Sequence, residues 1–202
     1  IHALNVADGT RKWVVQRTAP SLTIRNYAGG TSVRGGLFLG TAGGRLLAMD
    51  IVTGIVGWDG TVANPKGATE LERIADVTSQ PLVDDRQVCA VAYQGRLVCF
   101  EIIRGTINWS RDISSLYGLA ADSKNIYVTD DRGAVHALDR VNGASVWKQD
   151  LLAGRKIGGP QRVGDMVGVV DVEGFLHLLS PINGAYVGRI AGMLRSADVE
   201  LA

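Results

Sequence analysis

The chain has 202 residues, 46% hydrophobic and 20% charged, with 21 basic against 20 acidic side chains and no block of like charge. That length allows one large domain or two small ones, and the apolar content argues against disorder. The balanced charge gives no footing for a nucleic-acid-binding face or a basic membrane-adhering stripe, and no apolar run reaches the roughly 18 residues of a spanning helix.

Twenty-six glycines, spread between short apolar runs with no triplet period, predict many tight turns and an all-β protein. The chain opens inside a repeat, IHALNVADGTRKW, ending at Trp13. Two apolar runs, 31–33 and 37–39, lead into the next copy, GRLLAMDIVTGIVGW, over residues 44–58. Runs at 81–83 and 88–91 precede GRLVCFEIIRGTINW (95–109), and runs at 119–121 and 126–128 precede GAVHALDRVNGASVW (133–147). Runs at 160–163 and 166–170 then lead into GFLHLLSPINGAYVG (174–188). The two glycines stand ten apart in all four full copies: Gly44 and Gly54, Gly95 and Gly105, Gly133 and Gly143, Gly174 and Gly184. The last copy is degenerate, with Ser180 at the acidic position and Gly188 in place of tryptophan.

In-register repeats at this spacing indicate a propeller or a solenoid. Four runs per repeat, joined by glycine turns and without helical periodicity, select the four-stranded blade of a β-propeller. The reading places the end of one blade at 1–16, four blades at 31–61, 79–112, 118–150 and 159–190, and the start of another at 191–202. Trp13, Trp58, Trp109 and Trp147 are expected to fill the gaps between stacked blades. Asp50, Glu101 and Asp139, four residues before the second glycine, read as fasteners of the following turn and not as catalytic carboxylates.

The tryptophan behind A-x-D, as in Ala48-Met49-Asp50 and Ala137-Leu138-Asp139, resembles the tryptophan-docking repeat of the quinoprotein (PQQ-dehydrogenase-like) propellers. That resemblance implies a parent of eight blades. The chain would hold about half the ring, with residues 196–202 opening a further blade and with exposed apolar blade faces prone to self-association.

Successive tryptophans lie 45, 51 and 38 residues apart, so two connections, 14–43 and 59–94, are oversized. Long loops on a rigid scaffold are where binding residues concentrate. Within them, PSLTIR (20–25) and TELERIADV (69–77) resemble stretches of the BamB family, lipoproteins of the bacterial outer-membrane β-barrel assembly (BAM) machinery.

The resemblance implies a non-catalytic scaffold at the periplasmic face of the outer membrane, lipid-anchored when complete. It would bind a POTRA domain of BamA beside the other BAM subunits, with nascent outer-membrane proteins as further ligands. By position, Leu22, Ile24 and Arg25 match the first loop's contact motif, Ile24 standing for a leucine. Asp76 matches the first of two acidic contacts in the second loop, Thr78 stands where the second should be, and Arg73 joins the expected partner-binding residues. The residues themselves admit two readings: a small apolar interface anchor with a charged edge, or packing of Leu22 and Ile24 on the propeller's own rim.

The rival functions are a PQQ-dependent dehydrogenase fragment and an adaptor for some other partner. Against the first, Cys89 and Cys99 are ten apart, not adjacent, and no convergent polar cluster can be named; no cofactor or metal is assigned. These cysteines read as buried free thiols, with a bridge across the Gln94-Gly95 hairpin as the alternative. His2, His136 and His177 hold one repeat position, seven before the second glycine, which suggests a shared structural role and not a zinc site.

Overall fold

The structure is a computed structural model that describes residues 1–18, 20–24 and 29–192. Glycine turns cut the apolar runs into eighteen strands among these residues, with no helix. Strands β1 (His2–Leu4) and β2 (Arg11–Val14) form a hairpin. Four antiparallel four-stranded meanders follow. They are β3 (Gly30–Val33), β4 (Gly36–Thr41), β5 (Arg45–Asp50) and β6 (Val56–Thr61); then β7 (Leu82–Val83), β8 (Gln87–Val91), β9 (Leu97–Glu101) and β10 (Ile107–Arg111). The third holds β11 (Leu119–Ala121), β12 (Asn125–Thr129), β13 (Val135–Asp139) and β14 (Ser145–Gln149). The fourth holds β15 (Gln161–Val163), β16 (Met166–Val170), β17 (Phe175–Leu179) and β18 (Tyr186–Ala191). The first strands of neighbouring sheets, β3 with β7 and β11 with both β7 and β15, touch, so the sheets fan around an axis as propeller blades. Residues 196–202, expected to open another blade, lie outside the described residues.

Each core belongs to two blades. Val88 and Ala90 of β8 pack towards Phe38 and Leu46 of the first full blade, whereas Cys89 and Val91, pointing the other way, meet Ile126 and Val128 of the third. Strand periodicity of two, applied to a sheet sandwiched on both faces, therefore makes β8 buried at every position.

The tryptophans lock blade to blade. Indole Nε1 of Trp13, Trp58, Trp109 and Trp147 donates to the carbonyls of Ile51, Ile102, Arg140 and Pro181 of the next blade, at 3.1, 3.0, 3.2 and 2.9 Å. The rings cover Gly54, Gly105, Gly143 and Gly184, where a Cβ would come within 2.4–2.6 Å of indole carbons. These glycines also hold φ near +70°, so the position excludes a side chain twice over. Asp50, Glu101 and Asp139 accept backbone N–H bonds from the turn that follows, and Ser180 takes one from Ile182 at 3.3 Å.

The free-thiol expectation is corrected: Cys89 and Cys99 are bonded as a disulfide. They are direct register partners on β8 and β9, with Cα atoms 4.0 Å apart. The equivalent pairs are Phe38 with Ala48, Tyr127 with Ala137 and Gly168 with Leu178, each a large residue facing a small one. The second full blade fills the same slot with two medium side chains, close enough to bond. His136 and His177 share a role inside their blades, each placing Nε2 2.8 Å from a carboxylate, Asp130 and Asp171.

Candidate functional site

In each meander the first and third turns lie at one end of the blade, while the second turn and the link to the next blade lie at the other. The two long links, 15–29 after β2 and 62–81 after β6, therefore emerge on the same end. Val62 and Ala63 start the second link by donating backbone N–H groups to the Gly44 carbonyl in the β4–β5 turn, at 2.8 and 3.0 Å.

Local sequence shapes the tip of the second link. Thr69-Glu70-Leu71-Glu72 is a capping box: Glu72 Oε2 accepts from the Ala68 and Thr69 amides (2.8 and 3.1 Å), and Thr69 Oγ1 accepts from the Glu72 amide (3.2 Å). Backbone bonds from Arg73 to Thr69 and from Ile74 to Leu71 complete one helical turn. The N–H bonds from Thr69 and Ala68 hold the Glu72 carboxyl below its ordinary pKa. Leu71 is thrown outward, 69% exposed, with Arg73 half-exposed beside it.

The first link lies against this turn. Ser21 Oγ donates to Glu70 Oε2 at 2.7 Å, and the Ile24 amide donates to Asp76 Oδ2 at 2.7 Å. At its root, Arg17 and Arg45 both bind Asp59, each at 2.8 Å. Burial raises the Asp59 pKa, but the two guanidinium groups outweigh it and hold the carboxyl low.

Of the residues singled out from the sequence, Leu22, Ile24, Arg73 and Asp76 are thus gathered at one end but differ in exposure. Leu22 is 43% exposed, Ile24 is partly buried, and Arg73 reaches solvent. Arg25 lies outside the described residues. Asp76 departs from the expected charged edge: it is 3% exposed, and its second oxygen accepts the Gly43 amide at 2.9 Å. Thr78 is also buried, and its hydroxyl donates to the Leu116 carbonyl at 2.8 Å, tying this link to the next. Leu71 was not singled out from the sequence; the Thr-x-x-Glu spacing of Thr69 and Glu72 is the signal that could have found it. Among the described residues, no group of three or more histidine, cysteine, aspartate or glutamate side chains is close enough to share a metal ion.

The family profile described as outer membrane protein assembly factor BamB matches residues 1–149. The BamB of Bordetella pertussis is 41% identical over 192 residues, covering 95% of this chain and 50% of that protein. The Nitrosomonas eutropha BamB is 44% identical over 190 residues, covering 94% and 46%. The chain therefore spans about half the length of these curated relatives. The crystal structure of BamB from Moraxella catarrhalis superposes with a TM-score of 0.90 at 25% identity, over 96% of this chain and 59% of that one. A europium-containing methanol dehydrogenase matches at TM-score 0.75 and 15% identity, over 96% of this chain and 47% of that one, a likeness of fold alone.

Proposed function

Because the chain belongs to the BamB family of outer membrane protein assembly factors, we propose that its paired loops dock a POTRA domain of BamA. The protein is then a non-catalytic scaffold in the assembly of β-barrel proteins at the periplasmic face of the outer membrane. The observation that carries this reading is the juxtaposition of two oversized links, joined by the Ser21–Glu70 and Ile24–Asp76 bonds, with exposed leucines on both. Leu22 and Leu71 supply the apolar contact, Ile24 backs it, and Arg73 supplies the charged edge that orients the partner. A rigid scaffold with apolar anchors and a charged rim suits protein recognition, where a few buried anchors carry most of the affinity.

The test is calorimetric binding of the BamA POTRA domain to the intact protein and to its Leu22→Asp and Leu71→Asp variants. Each substitution is expected to weaken binding by about 2 kcal/mol or more, the scale of an interface hot spot, with an unchanged melting temperature. Wild-type affinity in both variants would remove the docking surface from this end of the propeller.

A further inference from the structure

We propose that Asp76 is the positioning residue of this surface: it sets the course of segment 22–24 from beneath, and the partner does not touch it. The inference rests on the docking reading above. An ionised carboxylate only accepts hydrogen bonds, and one presented to a partner's cation keeps oxygen lone pairs turned to solvent. Asp76 has its oxygens turned inward, Oδ2 to the Ile24 amide and Oδ1 to the Gly43 amide, and the residue is 3% exposed.

The acceptor itself is firmly held. The Asp76 carbonyl accepts the Tyr93 amide at 2.9 Å, and the next amide, Val77, donates to the Thr41 carbonyl at 3.3 Å. Ala75 and Val77 on either side are each 2% exposed. By contrast Ser21, Leu22 and Thr23 are exposed, so beyond the Ser21–Glu70 bond the anchor of residues 22–24 is this fixed point 52 residues away. Ordering that segment before the partner arrives removes an entropic penalty from association.

The residue type follows from the geometry. Asparagine has one amide oxygen and would turn its NH2 towards a backbone N–H. Glutamate adds a methylene between buried neighbours.

Hydrogen exchange and binding in the intact protein test the assignment. In the free wild type the Ile24 amide should exchange at least about a hundredfold more slowly than an unstructured amide; exchange at the unstructured rate overturns the clasp without recourse to any variant. In Asp76→Asn the Ile24 amide should exchange about tenfold faster or more, while residues 88–91 of β8 keep their protection. Unaltered exchange at Ile24 refutes it.

For binding, Asp76→Asn should weaken the POTRA complex about tenfold, but less than twofold further once Leu22→Ala is present, and with the same salt dependence. Fully additive losses with a shallower salt dependence would instead identify a direct ion pair and overturn the positioning role. Failure of the wild type to bind the POTRA domain would sink the docking reading, and the exchange results would then decide the clasp by themselves.

Discussion

Replacing Gly105 by alanine measures how strongly one blade grips the next. Three penalties add there. The backbone at φ +69° lies in the left-handed region, where an L-side chain costs about 1–2 kcal/mol. The new methyl would also stand 2.5 Å from Trp58 Cδ2 and 2.6 Å from its Cγ. The indole must therefore move, an overpacking cost of about 1–3 kcal/mol. The shift also endangers its 3.0 Å bond to the Ile102 carbonyl, worth about 1 kcal/mol. The internal control is Gly35→Ala in the β3–β4 turn: φ is +82° and no atom lies within 4 Å of the added Cβ, so only the backbone term applies. Urea denaturation followed by tryptophan fluorescence should show Gly105→Ala less stable than Gly35→Ala by about 2–4 kcal/mol. Costs equal within about 0.5 kcal/mol would refute tryptophan docking as the inter-blade lock.

Reducing the buried Cys89–Cys99 bridge, which closes a loop of sequence separation 10, should lower stability by about 2–3 kcal/mol, read as a lower melting temperature in reductant; an unshifted melt rejects a stabilising role. Asp171 is fully buried, and burial raises its pKa, but bonds from His177, the Phe175 amide and Arg155 outweigh that and hold it at about 2, against 3.8 ordinarily. Its folded value is depressed, so its stabilisation is present above about pH 4 and is lost as pH falls towards 2. The stability gap between wild type and Asp171→Asn should accordingly shrink by about 2 kcal/mol from pH 5 to pH 2, and a constant gap in urea titrations would contradict this. Arg73→Glu should slow association with the POTRA domain and alter its salt dependence more than it changes dissociation, as stopped-flow kinetics would show; an effect confined to the off-rate would move Arg73 from the rim to the buried core of the interface.

The repeat was legible because its contacts recur at a fixed spacing. Each tryptophan needs a glycine on the next blade and each turn needs an acceptor four residues earlier, so geometry shared by every blade is written into the chain several times over. The oversized links were legible as departures from that spacing. Leu71 escaped notice because it is one leucine in a charged stretch; only the capping-box turn directs it outward.

The sequence by itself determined the blade pattern, the inter-blade tryptophans and the family, since all three rest on local periodicity and motif. Only the tertiary structure decided that Cys89 meets Cys99, that Asp76 faces inward and that Ser21 meets Glu70. The bridge depends on β8–β9 register, and the other two depend on links about fifty residues apart meeting at one end of the fan. Such meetings are set by how blades close around an axis, which neighbouring residues along the chain do not encode.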